Sequence, residues 1–533
     1  MLMKKSTFLK YILIIAALIT AGSVHAEEPY TIQLEQVNIP GSPKIHSFAF
    51  ADHNGKWLFI GGRTNGMHGF DAATAFPKQY ANKNIFVVDP ATNTTYSRSI
   101  FADLDFRVAD PLRSTNMQYY YDGSKLYING GYGFDSLSND FITFPTLTVV
   151  DVSQTIQAVI SGNSVAPYIN QITDQRMRVC GGEMLKLGDY FYLAGGHIFT
   201  GAYSPISNDQ VYLNEIRKFK VSASGSNINI SDYSASTDTV EFHRRDMNLV
   251  PAIKPDGINE YLILYGGVFR SYADLPFMNP IYIDGNGAVT DYSFEQKMSQ
   301  YTCSYLSAFN SSNGKMHTTF LGGTSLYYYN ELLNQQIRDS LIPFINDITT
   351  LTRNPDGTSV EIVSPTKMPA LLGTNAKFIL SPAVPQYSNK VIKLNEISGN
   401  TFAGYIFGGI RAYLPNNTPS FASEYILKVY INPKPIGIQP VSGFVPDGYS
   451  LSQNYPNPFN PVTKIKFDIP DNGFVRLAVY NAIGNEVAVI VNEKLNSGVY
   501  ETKFSAEGLS SGIYYYKLTS EKFSETKKML LIK

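Results

Sequence analysis

Six times along the chain a short apolar run ends in a glycine pair: WLFIGG at Gly61 and Gly62, LYINGG at Gly130 and Gly131, FYLAGG at Gly195 and Gly196, LILYGG at Gly266 and Gly267, TTFLGG at Gly322 and Gly323, and YIFGG at Gly408 and Gly409. Successive pairs are 69, 65, 71, 56 and 86 residues apart. Before each run comes a short extended stretch and a polar corner. MQYYY turns through Asp122-Gly123-Ser124 into KLYING, and EMLKL turns through Gly188-Asp189 into YFYLAG. Such corners between apolar runs are hairpin signals. After each pair a long irregular loop is expected, then a third strand such as NIFVVD (84–89), LTVVDV (147–152) or PIYID (280–284), and a weaker fourth such as TTYSRSI (94–100). One such unit cannot bury its own apolar faces, so the repetition predicts blades stacked in a ring. A seventh pair, Gly181 and Gly182, follows no apolar run and marks no blade.

The last repeat has strands expected near 376–382, 402–408 and 424–431 and then lacks a fourth. The alternating TIQLEQV at 31–37 is expected to supply it and close the ring, leaving no exposed sheet edge. Residues 434–448 read as a Pro/Gly/Val linker. Beyond it, 449–533 carry six or seven short strands, among them KIKFDI, VRLAVY, EVAVIV, YETKF, IYYYKL and KKMLLI, which fit a small antiparallel β-sandwich.

Composition supports an all-β chain, with 37 Tyr and 32 Phe beside 41 Gly and 29 Pro. At the N-terminus, Lys4, Lys5 and Lys10 flank an apolar stretch at 11–22 that ends at Val24-His25-Ala26. This is the pattern of a secretory signal peptide over 1–26, too short to span a bilayer. The mature chain is expected to begin near Glu27, without a transmembrane anchor and as a monomer. A net charge of −1 argues against nucleic acid as partner. Two cysteines are too few for a disulfide framework, so stability must come from the core.

The repeat resembles the kelch family of β-propellers, where a Gly-Gly pair closes the second strand of each four-stranded blade. The resemblance covers about four hundred residues, 27–433, and implies a six-bladed propeller. The chain departs from that family in its longer repeats and in Trp57, its lone Trp, which stands before the pair instead of after it. The tail closely resembles the type A C-terminal sorting domain of the type IX secretion system. The matching residues are Asn454, Tyr455, Pro456, Asn457, Pro458, Phe459, Asn460 and Pro461, then VYNAIGNEV, GLSSGIYYYKL and the closing KKMLLIK. That resemblance implies the type IX machinery as partner and a secreted or cell-surface location outside a Gram-negative outer membrane.

In a four-stranded blade the loop before the innermost strand and the loop after the second strand emerge on one face. Arginine gathers at these positions: Arg113, Arg178, Arg244 and Arg245 before innermost strands, and Arg63, Arg270 and Arg411 after glycine pairs. With Tyr132 and His197 they are candidates for gripping an acidic glycan, since guanidinium groups suit carboxylate or sulfate. The alternative is that these arginines pair with Asp103, Asp105, Asp110, Asp174 or Asp246 between blades. Aligning the blades places His46, Asn116, Cys180, Asp246, Cys303 and Asn375 around the central channel. His46, Cys180 and Cys303 fall on alternate blades and form a candidate metal site, against which stands the habit of Cys to act as a small buried hydrophobe.

No Gly-x-Ser-x-Gly, His-Glu-x-x-His or phosphate-loop pattern occurs, and no cofactor is expected. The His residues form no cluster like the copper site of galactose oxidase, a kelch enzyme. The reading is therefore a non-catalytic secreted or cell-surface protein whose propeller face binds a glycan or another macromolecule. The other reading is a sugar-modifying enzyme resembling secreted sialate mutarotases, with Glu183 and Asp246 as candidate acid and base.

Overall fold

The structure is a computed structural model that describes residues 28–69, 75–203, 210–434, 440–442, 445–506 and 509–533. The signal peptide read at 1–26 lies outside them. Strands dominate, as the sequence predicts, and six of the sheets are built on four-stranded antiparallel meanders. Sheet one runs Ala49–His53, Lys56–Ile60, Asn84–Asp89 and Thr94–Ser99. Sheet two runs Gln118–Tyr121, Lys125–Asn129, Thr146–Asp151 and Ile169–Thr173. Sheet three runs Glu183–Leu187, Tyr190–Ala194, Glu215–Ser224 and Asn227–Thr237. Sheet four runs Asn248–Ile253, Glu260–Tyr265, Ile281–Asp284 and Gly287–Thr290. Sheet five runs Ser304–Asn310, Lys315–Thr324, Phe344–Arg353 and Ser359–Lys367.

Sheet six takes Lys377–Leu380, Thr401–Phe407 and Ile426–Pro433, and its outer strand is the N-terminal Tyr30–Val37. That strand pairs antiparallel with Ile426–Pro433, from Tyr30 opposite Pro433 to Val37 opposite Ile426. Its alternation explains the docking. Tyr30 and Ile32 are buried, and the Tyr30 hydroxyl bonds Thr319 Oγ1 in sheet five at 2.6 Å. Sheet six also packs on sheet one, with Phe407 stacked on Phe59 at 4.2 Å and Trp57 against Tyr405 at 4.8 Å.

The glycine pairs form the seams between sheets. The amide of Gly62 donates to Ser114 O (2.8 Å), Gly131 to Val179 O (2.8 Å), Gly196 to Arg244 O (2.7 Å) and Gly409 to Ile45 O (3.0 Å). Each acceptor lies at the mouth of the next sheet, and the sixth pair returns to the first sheet. The first glycine of each pair has φ between +55° and +73°, where an L side chain is strained. A Cβ on Gly130 would stand 2.0 Å from Val179 O, so the approach leaves no room for one.

The loops after the pairs are more regular than expected. Four of them carry extra pairing: Tyr132–Asp135 with Asp140–Thr143, His197–Phe199 with Gln210–Tyr212, Tyr327–Asn330 with Gln335–Arg338, and Ile410–Leu414 with Asn417–Ala422. At the opposite end, the loop before Thr401–Phe407 crosses under the inner strands. Ile392–Lys393 adds in parallel to sheet five, Asn389 Nδ2 donates to Ala252 O in sheet four (3.2 Å), and the Lys390 ammonium sits 5.3 Å over Tyr121 in sheet two. Two helices, Phe106–Leu112 and Val152–Ser161, are not anticipated by the strand pattern, and the second is the longer. The Asp151 side chain caps it by accepting from Gln154 N, and Val152, Ile156 and Val159 are buried.

Glu361, on the outer strand of sheet five, holds the segment that leads into that sheet. Its carboxylate accepts from the amides of Lys297 and Met298, both at 3.1 Å. Burial pushes its carboxyl up to about 7. Since an unfolded Glu titrates near 4.3, the folded state holds a proton there that the unfolded state has lost. Stability is therefore lost as pH rises from about 4.3 to 7, by up to about 3 kcal/mol. A falling Tm across that window, flattened in Glu361→Gln, is expected; an unchanged slope in the variant would remove Glu361 as its cause.

The tail forms two four-stranded sheets. One joins Pro440–Ser442, Gly498–Ser505, Val462–Ile469 and Ser450–Leu451; the other joins Glu486–Leu495, Gly473–Asn481, Gly512–Ser520 and Ser524–Leu531. Phe467, Leu477, Val479, Tyr516 and Leu518 fill the space between them. The expected linker at 434–448 is thus not all linker, because Pro440–Ser442 pairs into the tail.

Candidate functional site

Each innermost strand is preceded by a two-residue mouth. The first residue pairs with the one just after a glycine pair: His46 with Arg63, Thr115 with Tyr132, Cys180 with His197, Arg245 with Val268, Tyr301 with Thr324 and Thr374 with Ile410. The second is left-handed in every sheet. Ser47, Asn116, Gly181, Asp246, Thr302 and Asn375 have φ between +44° and +66°. Five of these are linked in series by Gly181 N to Asn116 O (2.9 Å), Asp246 N to Gly181 O (2.7 Å), Thr302 Oγ1 to Asp246 O (2.6 Å) and Asn375 N to Thr302 O. Together they line one narrow central cavity to which all six sheets contribute.

The expected ring is therefore right at Asn116, Asp246 and Asn375 and one residue out of register elsewhere. Ser47, Gly181 and Thr302 stand where His46, Cys180 and Cys303 were placed, because the left-handed turn puts its own residue on the cavity wall. The metal reading fails with that register. His46 Nδ1 bonds Ser47 Oγ at 3.0 Å, Cys180 packs with Tyr132 and Phe199, and Cys303 with Tyr265 and Phe320. Burial pushes both thiols up to about 12 and the His46 imidazole down to about 3. Among the described residues no three of His, Cys, Asp and Glu gather as a metal site.

Glu183 and Asp246 do line the same cavity, with Lys377. Lys377 Nζ lies 3.5 Å from Glu183 Oε1, tying sheet six to sheet three across the cavity. Burial raises the Glu183 carboxyl above its ordinary range, with Lys377 opposing the shift. The Asp246 carboxylate accepts from Asn116 Nδ2 at 3.2 Å and Arg245 Nη1 at 2.9 Å.

A second recess lies at the loops of sheets one and two, lined by Arg63, Lys78, Arg113 and Thr115 with Tyr132, Phe134 and Phe141. It is shallow, with an enclosed volume of about 10 Å³, room for about one water, and no carboxylate lines it. Arg63 is buried, donating from Nε to Asn65 Oδ1 (3.0 Å) and from Nη2 to Pro77 O (2.9 Å). Burial lowers its guanidinium to about 10, so it stays charged at neutral pH. Arg113 is held by Asp110 (2.6 Å) and by Phe134 O (3.2 Å), both through Nη2. The Lys78 ammonium rests 3.1 Å over the Phe134 ring, and Tyr132 stacks on Phe141 at 5.7 Å. The Tyr132 hydroxyl donates to Gly201 O (2.8 Å), so only its ring faces a ligand.

The other candidate ligand residues do not line this recess. Arg244 is sealed in the core, bonded to Glu241, Gly266 O and Asn279 O and lying over Phe277. Arg245 pairs with Asp246 and donates to Tyr212 OH; burial alone would lower its pKa, and these partners raise it instead. Arg178 donates to Thr143 O and Thr200 Oγ1, Arg270 to Pro276 O and Tyr272 OH, and Arg411 pairs with Glu424. His197 is buried and held neutral, accepting from Gln210 Nε2 at 2.5 Å. Structural pairing thus accounts for Arg244, Arg245 and Arg411 and also holds Arg113 through Asp110, while Arg63, Arg113 and Tyr132 come together. Lys78, Phe134 and Phe141 were missed, although all three stand in the long loops after the first two glycine pairs.

In the tail, the motif 455–461 is pinned at both ends. The Asn454 amide donates to Tyr516 OH (2.8 Å) and Asn454 Nδ2 to Thr463 Oγ1 (2.9 Å), while Phe459 is buried and its amide donates to Leu530 O (3.0 Å). Between them Tyr455 stands out with 79% of its surface exposed. No helix among the described residues is long and apolar enough to cross a membrane.

Residues 453–533 match the family model of the secretion system C-terminal sorting domain. The tail therefore marks the chain for export by type IX secretion, to the medium or the cell surface. No curated protein matches the chain. Among solved structures it is similar to YjhT, at 13% identity over 61% of this chain and 86% of that one, with a TM-score of 0.37. It is also similar to the dihydro-heme d1 dehydrogenase NirN in complex with DHE, at 9% identity over 89% and 80% of the two chains, with a TM-score of 0.30. A third is PorZ, a surface component of the type-IX secretion system of Porphyromonas gingivalis, at 11% identity over 94% and 100%, with a TM-score of 0.14. These overlaps are too loose to carry an argument, and the fold rests on the sheets themselves.

Proposed function

We propose that the six meanders are the blades of one closed, kelch-like propeller, carried out of the cell by the sorting tail, whose loop face binds an acidic glycan. One observation carries this reading: Arg63, Lys78 and Arg113 share a recess with the rings of Tyr132, Phe134 and Phe141. Of the three cations Arg113 is paired with Asp110, which leaves the charges of Arg63 and Lys78 to attract an anion, and the aromatic wall suits the apolar face of a sugar ring. On a chain of net charge −1 such a recess is a local feature, not a consequence of overall basicity. The protein would act at the outer surface of a Gram-negative cell, as a monomer, after removal of the signal peptide at 1–26.

A second reading has one observation in its favour. Glu183, with a raised pKa, and Asp246 line a single cavity beside Lys377, the arrangement an acid and a base need for sugar ring opening. One preparation of the mature protein tests both. The first reading expects salt-sensitive retention on acidic but not neutral polysaccharide, reduced roughly tenfold by Lys78→Ala, and no change in the equilibration rate of free sialic acid. Retention of neither polymer would sink it. Accelerated equilibration, lost in Glu183→Gln or Asp246→Asn, would establish the enzyme.

A further inference from the structure

We infer that the outer face of the second tail sheet is the surface by which the type IX apparatus grips the chain, and that it fits an acidic protein surface with apolar sites between its charges. This surface belongs to the tail alone, and its role does not depend on the loop recess. Residues 453–533 match a sorting domain, whose work is to be recognised by that apparatus. Three of the segments that carry the resemblance, VYNAIGNEV, GLSSGIYYYKL and KKMLLIK, become neighbours in this one sheet. Gly473–Asn481 pairs with Gly512–Ser520, which pairs in turn with Ser524–Leu531. Side chains alternate between the two faces along each strand. Val479, Tyr514, Tyr516, Leu518, Met529 and Leu531 point inward and are buried in the sandwich. The alternate set points out: Tyr480, Ile513, Tyr515, Lys517, Lys528 and Leu530. Tyr480 stands opposite Tyr515, Tyr515 opposite Lys528, and Ile513 opposite Leu530 in the next row. Ile513, Tyr515 and Leu530 are all exposed. Glu486 is committed to Arg476 and Glu525 to Lys527, and Lys517 and Lys528 make no ion pair among the described residues. Two free ammonium groups beside tyrosine rings and aliphatic side chains suit a partner that is acidic around apolar sites, since tyrosines anchor interfaces and charge complementarity selects the partner. The remaining segment, 454–461, is laced along the edge strand of the same sheet. Asn457 Oδ1 accepts from Leu530 N (2.9 Å), and Phe459 N donates to Leu530 O (3.0 Å). A partner cannot add a strand where that edge is already paired, so what the sheet offers there is its face.

The test expresses the full chain in cells with an active type IX apparatus and compares the amount outside the cell with the amount held in the periplasm. Tyr515→Ser combined with Leu530→Ser is expected to lower that ratio roughly tenfold. Lys517→Glu combined with Lys528→Glu is expected to lower it similarly, while Lys517→Arg with Lys528→Arg exports like the parent. Val462→Ser with Lys503→Glu makes matching changes on the outer face of the other tail sheet and is also expected to export like the parent. All these side chains stand outside the core, so the purified variants are expected to keep the parent's Tm. If the first pair lowers it, the lysine pair decides. Parental export from both face variants would overturn the inference. An equal loss in the Val462 and Lys503 control would overturn it too, because no one face would then be read. Arginine variants that fail as the glutamate variants do would overturn the acidic partner.

Discussion

Gly130→Ala and Gly322→Ala are each expected to cost about 2–6 kcal/mol, a large part of the 5–15 kcal/mol that usually holds a fold together. The new Cβ would stand 2.0 Å from Val179 O in the first variant and 2.0 Å from Leu372 O in the second. Both obstacles are backbone atoms at the mouth of the next sheet, so no side chain can swing away. The backbone must also be held at φ +61° and +71°, which strains an L residue by about 1–3 kcal/mol. Pushing two sheets apart adds about 1–3 kcal/mol of overpacking. Gly285→Ala is the control, with nothing within 4 Å of its Cβ, and is expected to stay within about 0.5 kcal/mol. Denaturant unfolding of the three variants decides the matter. Equal midpoints for Gly130→Ala and Gly285→Ala would mean that the seams do not hold the sheets together.

Removing residues 30–37 is expected to have the next largest effect. The strand covers Ile426–Pro433 along its whole length. Its Tyr30 and Ile32 side chains are buried, each contributing about 1.5–3 kcal/mol by leaving water. Without it Thr319 loses one of its two hydroxyl partners and sheet six presents an open edge, a template for pairing with a second chain. The truncated protein is expected to aggregate or to unfold at a markedly lower temperature, and a synthetic 28–38 peptide to restore part of the loss. A truncated chain that stays monomeric with an unchanged Tm would show that the N-terminal strand closes nothing.

Much of this was legible in the sequence, for physical reasons that can be named. Gly-Gly pairs at regular intervals report places where backbone meets backbone, and the period-2 pattern of 31–37 shows a strand with one buried face. The tail was legible through its resemblance to a known sorting domain, and the structure shows Asn454 and Phe459 of that motif tied to the sandwich. Other features were hidden. The helix Val152–Ser161 begins within a run that reads as strand, LTVVDV, and only the Asp151 cap and the 152, 156, 159 spacing betray it. The ring register slipped at His46 and Cys303 because a left-handed Ser47 or Thr302 leaves no clear mark in a sequence, whereas Asn116 and Asn375 do; at Cys180 the mark was there in Gly181, but within a glycine pair that follows no apolar run. Arginine positions were legible but their partners were not. Arg244 and Arg63 look alike along the chain, yet one is sealed against Glu241 and Phe277 and the other borders a recess.

The most direct measurement is a hydroxyl-radical footprint of the mature protein with and without a saturating acidic polysaccharide. Protection is expected at Phe134 and Phe141, with Phe421 and the tail residue Tyr455, both exposed, unchanged. Protection at Tyr455 or on the far side of the sheets, with Phe134 and Phe141 still oxidised at their free rates, would contradict a binding face built around Arg63, Lys78 and Arg113.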